Sequence, residues 1–215
     1  MIKNYVVVGL GNPGDEYVET RHNMGRMVLD AFVKKNDFSD WEIDKKLKSI
    51  ISEGKLGKNK ALLLKPETFM NKSGEALLEQ IKTKKLKIES KKVNGEKIKA
   101  MDNLVVIHDD LDLPLGKIKI SFNKSSGGHR GVESIIKAVK TEGFIRLRLG
   151  ISGETASGKI KKPQGEEKVI DAILGEFKKT ESDDLKKVIK KSVIALEMII
   201  ADGWEKAASL LGTLK

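Results

Sequence analysis

Three histidines, His22, His108 and His129, are the side chains of this chain whose unperturbed pKa lies near neutrality. The sequence contains no cysteine, which excludes a thiol nucleophile, a disulfide framework and a zinc site built on sulfur. No serine stands in the glycine-flanked elbow motif of serine hydrolases. The chemistry that remains is activation of water by an imidazole, with a carboxylate on its other nitrogen to fix the tautomer.

Polar side chains follow three short apolar runs of the sequence. Asn12 follows the run at 5–8, Met70 and Asn71 follow the run at 61–64, and Asp109 follows the run at 105–107. Open α/β sheets place their sites beyond the carboxyl ends of the strands, so we expect these groups to converge. His22 precedes the first helix and can lean over the same crevice. We therefore predict one pocket with an imidazole, a carboxylate and two carboxamides, which can hold water or donate to an oxyanion.

The apolar runs and the segments with helical spacing, which must position these groups, predict an α/β fold. The apolar runs, with another at 147–151, are continuous, which is typical of strands covered on both faces. We predict a single domain over residues 1–215, with a mostly parallel, twisted mixed sheet and helices on both faces. Helical spacing is present at 24–32, 77–81, 132–140 and 185–200. We expect Thr180 to cap the last helix and Gly203 to end it.

Composition limits the class of protein and its partners. Of the 215 residues, 39% are hydrophobic and 33% are charged, as in globular proteins. No run approaches the ~18 apolar residues of a membrane span, and no signal peptide precedes the first strand, which predicts a cytoplasmic protein without membrane contact. The formal charge of +10 favours a nucleic acid as partner. The alternative is that abundant lysine only solubilises the surface.

Two segments interrupt the regular pattern. The stretch from Lys82 to Lys99 holds eight lysines and two glutamates, with a possible turn at Asn94 and Gly95. We interpret 82–103 as a lysine-rich, solvated surface insertion, with a basic hairpin or a helix extension on RNA as alternatives. Residues 152–165 are rich in Gly, Ser and Lys, which predicts a mobile loop that could serve as a lid.

Two further motifs of the sequence suggest other functions. Gly9, Gly11 and Gly14 spell the GxGxxG of dinucleotide-binding proteins, but about ten residues separate them from the helix, and the expected acidic residue is missing. Asp109, Asp110 and Asp112 could bind Mg²⁺ through oxygen. Adjacent carboxylates on a strand point to opposite faces, so we expect that these three residues do not bind a metal ion together.

Four separate blocks of the sequence resemble bacterial peptidyl-tRNA hydrolase in order and spacing, and they span residues 5–150. The blocks are Gly9–Gly14 with Tyr17, Thr20–Asn23 and Gly25; Pro66 with Thr68–Asn71, Ser73 and Gly74; His108–Pro114 with Gly116; and Gly127–His129 with Gly131. The resemblance implies that His22 is the catalytic base and Asp109 its orienting partner. It further implies that Asn12 and Asn71 position the peptide and the water, with Met70 in the pocket wall.

The resemblance also implies the substrate and the way it is held. The reaction would be hydrolysis of the ester between a peptide and the 3′ ribose of tRNA, without metal or cofactor, by a monomer that recycles tRNA from stalled translation. Arg148 would grip tRNA phosphate, and Tyr17 would line the groove. The sequence before the helix at 132 places His129 and Arg130 where free amides favour an anion, the alternative being a plain glycine loop. The rival function is RNA binding without catalysis, against which the intact polar set argues.

Three positions depart from the family pattern. Arg130 stands where the family usually has Asn, which affects recognition of the peptide or adds a contact to phosphate. Ser121 stands where a basic residue is common, so we expect Arg148 to be helped by Lys117, Lys119 or Lys124. The loop after Gly150 lacks the short Gly-His-Pro type of sequence that is usual there.

Overall fold

The central strand of the sheet contains the first apolar run of the sequence. The structure is a computed structural model, which describes residues 2–83, 85–93 and 95–213. Within these residues the strands are β1 (Asn4–Gly9), β2 (Glu42–Asp44), β3 (Ser49–Leu56), β4 (Asn59–Pro66), β5 (Glu89–Val93), β6 (Glu96–Pro114), β7 (Ile118–Phe122), β8 (Gly143–Glu154) and β9 (Ile160–Lys161). Each of the four predicted apolar runs lies in one of these strands, namely β1, β4, β6 and β8.

The strands form one mixed sheet whose centre is parallel. The order is β2-β3-β4-β1-β6-β8-β7, with β5 paired to β6 and β9 paired to β8. The neighbours β4, β1, β6 and β8 are mutually parallel, whereas the outer strands pair antiparallel. Parallel neighbours end at the same edge of the sheet, which is the geometry that a site at their carboxyl ends requires.

Helices cover both faces of this sheet, as predicted. The α-helices are α1 (Met24–Lys35), α2 (Leu78–Lys82), α3 (Arg130–Val139), α4 (Glu166–Leu174), α5 (Ser182–Asp202) and α6 (Trp204–Leu210). Alternate residues of β1 enter two separate cores: Val7 packs with α1, α5 and α6, whereas Val8 packs with α3 and with the 3-10 helix Met70–Leu77. The predicted α/β fold with a mixed, mostly parallel central sheet is confirmed.

The structure corrects the predicted end of the third run. Asp109 does not follow the end of a strand but lies inside β6, because pairing with β8 includes His108↔Arg148, Asp109↔Leu149 and Asp110↔Gly150 and resumes at Pro114↔Ser152. Leu111 to Pro114 belong to β6, with an irregularity in the pairing between Asp110 and Pro114, and do not form a tight turn after it. The sequence did not indicate that the strand continues, because aspartates such as Asp109, Asp110 and Asp112 are unusual in a buried strand.

The start of α5 is also different from the prediction. Thr180 lies inside the 3-10 helix Lys179–Glu181, and Glu181 occupies the N-cap position of α5. The 3-10 turn adds one short element before the helix, so the predicted cap falls too early. Gly203 does end α5, with a φ of 98° that a side chain would disfavour.

Both irregular segments contain antiparallel pairing. β5 pairs with the start of β6 from Glu89↔Ala100 to Val93↔Glu96, so this part of the lysine-rich stretch is an antiparallel hairpin. Its character as a solvated insertion, or its contact with RNA, stays a prediction. Asn94 of the expected turn lies outside the described residues. In the second segment Gly153 and Glu154 pair with Lys161 and Ile160. The mobility of 152–165 stays a prediction.

Among the residues that the structure describes, no helix combines the length and the apolar character that crossing a membrane requires.

Candidate active site

A cavity of about 710 Å³ lies at the carboxyl ends of the parallel strands. It brings together eight of the eleven site residues predicted from the sequence: Asn12, His22, Met70, Asn71, Asp109, His129, Arg130 and Arg148. Tyr17, Lys117 and Lys119 lie outside its lining as the described residues form it. Their role in binding tRNA stays a prediction.

The start of α1 approaches the sheet closely because of a glycine. A Cβ built on Gly25 would lie 2.5 Å from the carbonyl oxygen of Ile107 and 2.5 Å from the backbone nitrogen of Leu10. Only a residue without a side chain fits between the ends of β1 and β6. This contact sets His22, in the 3-10 helix Arg21–Asn23 just before α1, directly over β6.

Asn23 connects the same 3-10 helix to the loop after β1 by hydrogen bonds. Its Oδ1 accepts from the backbone nitrogen of Asn12 at 2.8 Å, and its Nδ2 donates to the backbone oxygen of Asn12 at 2.9 Å. Both bonds are buried, where such a reciprocal pair fixes geometry well. Asn23 was not among the predicted site residues, and its position next to His22 in the sequence is the signal that could have indicated it.

His22 and Asp109 meet in the floor of the cavity. The Nδ1 of His22 lies 2.9 Å from the Oδ1 of Asp109, and the two residues are only 6% and 3% exposed. A carboxylate accepts, so Nδ1 carries the proton and Nε2 keeps its lone pair. The predicted neighbours are thus in contact, and His22 is oriented as a base whose free nitrogen lies away from Asp109.

His129 is bonded to the same carboxylate oxygen of Asp109 as His22 is, and it differs from His22 in one respect. Its Nε2 lies 2.9 Å from the Oδ1 of Asp109, while its Nδ1 accepts from the backbone nitrogens of Gly131 and Val132 at 3.1 and 3.3 Å. His129 is therefore the N-cap of α3, with both ring nitrogens in hydrogen bonds. It cannot take a proton from water without losing the cap.

The charge of Asp109 is set by these two rings. Burial alone raises the pKa of Asp109, but the imidazoles of His22 and His129, by charge and by hydrogen bond, outweigh it and hold that pKa well below its usual range. Asp109 is therefore an anion at every pH at which the protein is expected to work, and it favours a proton on His22 once that ring accepts one.

His108 is a third imidazole in the cavity wall, and it stays neutral. Its Nδ1 donates to the backbone oxygen of Asp109 at 2.7 Å, and its Nε2 is buried without a partner among the described residues. Burial, and then the neighbouring His129, hold the pKa of His108 well below its ordinary value. A neutral His108 adds no positive charge beside His22.

The two predicted carboxamides are held differently. The Oδ1 of Asn12 accepts from the backbone nitrogen of Met70 at 2.9 Å, which leaves its NH₂ group as a donor. Met70 is buried. Its sulfur packs against Gly131, and a Cβ built on Gly131 would lie only 2.4 Å from that sulfur. Asn71 is exposed on the rim of the cavity.

Two arginines of β8 line the cavity. Arg148 donates from Nε to the Oδ2 of Asp110 at 2.5 Å and remains partly exposed. Arg146, which was not among the predicted site residues, is buried, and its guanidinium lies 4.9 Å from the ring centroid of Phe144. Its burial lowers the pKa of Arg146 to about 10. The signal was available, since residues two apart on a strand share a face.

α4 covers the cavity and was also missed. Arg130 of α3 donates to Glu166 at the start of α4, and Lys162 donates to Asp112 at 2.5 Å. The apolar residues of α4 that line the cavity are Val169, Ile170, Ile173 and Leu174. Their spacing, with pairs four residues apart, is helical and would have predicted this element.

Three side chains form a cluster that could hold a metal ion. The ligand atoms of His22, Asp109 and His129 lie within 4.8 Å of one another. Two histidines and a carboxylate suit several divalent metals. In this geometry, however, the facing atoms of the three side chains are already joined by the two hydrogen bonds to Asp109. A metal would have to replace both bonds and their protons.

Comparison with known proteins gives a consistent result. The statistical description of one family, peptidyl-tRNA hydrolase, matches residues 6–215. The peptidyl-tRNA hydrolase of Thermoanaerobacter sp. (strain X514) is 40% identical over 205 residues, which covers 95% of this chain and 97% of the relative. That of Aquifex aeolicus (strain VF5) is 40% identical over 195 residues, 89% of this chain and 87% of the relative. The crystal structure of peptidyl-tRNA hydrolase from Acinetobacter baumannii aligns with a TM-score of 0.81 at 26% identity, over 100% of this chain and 97% of that one.

Proposed function

This chain belongs to the peptidyl-tRNA hydrolase family, and on that premise we propose that it hydrolyses the ester between a peptide and the 3′ ribose of tRNA with water activated by His22. The observation that carries the proposal is the hydrogen bond between His22 and Asp109 inside the cavity. It leaves Nε2 of His22 with its lone pair available, whereas the equally unpaired Nε2 of His108 is fully buried. His129 has no such free nitrogen.

The proposed reaction proceeds in two proton transfers. The Nε2 of His22 takes a proton from water as the oxygen attacks the ester carbonyl, and Asp109 stabilises the imidazolium that forms. The NH₂ group of Asn12 is placed to donate to the developing oxyanion. The tetrahedral intermediate then expels the ribose oxygen, which receives the proton from His22. Asn71 on the rim orients the peptide.

The tRNA is proposed to lie on the basic side of the cavity. Arg148 and Lys124 line it, and Arg148 is held in place by Asp110. A fixed guanidinium suits a phosphate, because less conformational freedom is lost on binding. Tyr17, Lys117 and Lys119 are proposed to extend this contact outside the cavity. The activity would return tRNA from stalled translation, which takes place in the cytoplasm, and would need no second subunit.

The test uses purified protein and a tRNA that carries an N-acetylaminoacyl group. We expect His22→Ala to lower kcat by about a thousandfold or more, the loss seen when a general base of this kind is removed. Asp109→Asn should also lower kcat strongly, because an amide can present its NH₂ to Nδ1 and impose the wrong tautomer. Asp102→Asn, on the same strand β6, is the matched control and should be as active as the parent. Hydrolysis by His22→Ala at the parental rate would refute the mechanism.

Two alternatives are separated by the same assay. Metal-dependent hydrolysis, suggested by the cluster of His22, Asp109 and His129, predicts loss of activity in chelator and recovery with added Mg²⁺ or Zn²⁺. We expect full activity in chelator. RNA binding without catalysis predicts retention of the tRNA with no release of the acyl group by the parent protein.

A further inference from the structure

The basic hairpin, which consists of β5 and residues 96–100 of β6, separates its charges onto two faces. Residues directly opposite each other in an antiparallel pair share a face, and neighbours along a strand alternate between faces. The pairs Lys92↔Lys97 and Ser90↔Lys99 therefore place Lys92, Lys97 and Lys99 on one face, which we call the lysine face. Both glutamates of the hairpin lie on the opposite face, which consists of Glu89, Lys91, Val93, Glu96, Ile98 and Ala100.

The opposite face attaches the basic hairpin to the rest of the protein. The Nζ of Lys91 donates to the Oδ2 of Asp102 at 2.7 Å and to the Oε1 of Glu205, in α6, at 3.0 Å. Val93 and Ile98 pack against the core that contains α1, α5 and α6. The lysine face is therefore presented on an anchored ribbon, which reduces the conformational freedom that is lost when a partner binds.

The positive charge of the lysine face is not balanced within the part of the chain that the structure describes. Its three side chains are exposed, and their ammonium groups form no ion pair or hydrogen bond with residues 2–83, 85–93 or 95–213. Lys92 and Lys97 stand directly opposite each other, where like charges destabilise a pair of strands. A polyanion that lies across the hairpin would remove this repulsion, and a nucleic acid backbone is such a polyanion.

The lysine face is on the same side of the sheet as the arginines of the cavity. Lys99 and Met101 share a face because they are two residues apart on β6. Met101 pairs with Phe144, and Phe144 shares its face of β8 with Arg146 and Arg148. A single ligand can therefore reach the cavity and the lysine face from one side of the sheet.

On this side, α3 connects the cavity with the basic hairpin. The helix begins at Arg130 beside the cavity, and Lys140 is its C-cap. Thr141 follows directly, and its Oγ1 donates to the backbone oxygen of Lys99 at 2.6 Å. Lys137 and Lys140 are exposed. Exposed basic side chains therefore continue along α3 from the cavity to the lysine face.

We propose that the lysine face binds the phosphate backbone of the double-helical part of the same tRNA whose acylated end lies in the cavity. The inference rests on the proposed function, because the position of the ester beside His22 fixes where the tRNA begins. Lysines that contact phosphate fix the position of a nucleic acid without reading its sequence. The lysine face therefore adds affinity that all tRNAs share, at a distance from the reacting atoms.

The experiment measures the Kd of uncharged tRNA, so that binding is observed without an ester. The triple variant Lys92→Gln, Lys97→Gln and Lys99→Gln should raise Kd by about tenfold or more at physiological ionic strength. The slope of log Kd against log salt concentration should decrease by about 1 for each lysine that contacts a phosphate. A parental Kd and a parental salt slope in this variant would overturn the proposal.

Two control variants separate the lysine face from net charge and from folding. The triple variant Lys34→Gln, Lys186→Gln and Lys190→Gln removes the same charge from exposed positions of α1 and α5, which cover the other side of the sheet. It should change Kd much less than the hairpin variant does. Replacement of the three lysines of the lysine face by arginine keeps the charge and should retain the parental Kd. An equal loss of affinity in both glutamine variants would refute a specific role of the lysine face.

A combined variant tests whether one tRNA contacts both places. Arg148→Ala and the hairpin triple variant should raise Kd by factors that multiply, with a single tRNA bound per protein molecule. Two tRNA molecules bound per parent protein would place the lysine face in a separate site and overturn the proposal. These measurements do not depend on hydrolysis, so a parent protein that binds tRNA but releases no acyl group refutes the proposed function alone.

Discussion

Arg130 of α3 and Glu166 of α4 form an ion pair across the mouth of the cavity, although both side chains are largely exposed. Arg130 stands where the peptidyl-tRNA hydrolase family usually has a carboxamide. The arginine reaches a neighbouring helix, which a shorter asparagine could not do. The pair therefore connects the element that carries His129 to the element that covers the cavity.

We predict that this ion pair holds α4 without contributing much to global stability. Exposed ion pairs add only about 0–1 kcal/mol, so Arg130→Ala and Glu166→Ala should leave the urea midpoint almost unchanged. Amide hydrogen exchange in α4 should become faster in both variants. The exchanged pair Arg130→Glu with Glu166→Arg should restore slow exchange, and Lys187→Ala, which breaks an exposed pair within α5, should have no effect on α4. Unchanged exchange in all variants would show that the pair does not hold the helix.

The two histidines on Asp109 predict unequal consequences of mutation. His129→Ala removes the N-cap of α3, which should lower the free energy of unfolding by about 0.5–2 kcal/mol. His129→Asn restores a capping oxygen and should recover most of that loss. Both variants should keep far more activity than His22→Ala, because His129 has no free nitrogen. A His129→Asn variant as inactive as His22→Ala would mean that the roles of the two rings are misassigned.

Burial of neutral His108 predicts a loss of stability in mild acid. Its pKa is lowered in the folded protein, by burial and then by His129, so only the unfolded chain takes up this proton as pH falls through about 6.5. The stabilising contribution is complete above that pH and is lost below it, by at most about 1.4 kcal/mol per pH unit. The pKa of Asp109 is also lowered, but its contribution is lost only below about pH 4.

The measurement is the urea midpoint of the parent and of His108→Asn at pH 7.5 and pH 5.5. The parent should lose more stability between the two values than the variant, which has no proton to take up at this position. The variant is expected to be less stable than the parent at pH 7.5, so the comparison rests on the difference between pH values. An equal decrease in both proteins would contradict the assignment.

The close approach of α1 to the sheet predicts that Gly25 cannot carry a side chain. Gly25→Ala places a Cβ against the backbone of Ile107 and Leu10, and overpacking of this kind costs about 1–3 kcal/mol. Because relief requires α1 to move away from β6, the distance between His22 and Asp109 should grow, and kcat should fall as well. Gly153→Ala is the control, since a Cβ there meets only the Cδ of Lys161 at 4.0 Å. A stable, fully active Gly25→Ala protein would exclude this account.

The sequence predicted the centre of the molecule better than its edges. The continuous apolar runs of β1, β4, β6 and β8 are buried strands, and the predicted contact of His22 with Asp109 is present. It arises because β1 ends at Gly9 opposite Ile107, two residues before Asp109, although β6 itself continues to Pro114. The outer strands β2, β3 and β7 were not predicted, and β5 was predicted only as part of a possible hairpin, because their residues mix exposed and buried positions and form no continuous apolar run.

The parts of the site that were missed share a physical reason. Arg146 and Asn23 donate hydrogen bonds to the backbone oxygens of Ser125 and Asn12, which lie 21 and 11 residues away, and a local pattern does not report such contacts. The apolar residues of α4 have helical spacing, but they face a cavity and none of them is buried in a core. The segment therefore lacks the long apolar stripe by which a packing helix is predicted. The roles of Tyr17, Lys117 and Lys119 depend on the tRNA and remain predictions.

One strand links the basic hairpin to the site. β6 runs from Glu96 to Pro114, and a register shift between Met101 and Val105 takes up three of its residues, so Lys97 and Asp109 stand about 30 Å apart at about 3.3 Å per residue. A molecule that touches both ends must be at least that long. Substitution of the hairpin lysines should therefore not change the hydrolysis of minimal substrates that keep only the last few nucleotides. An intact tRNA is long enough to contact those lysines.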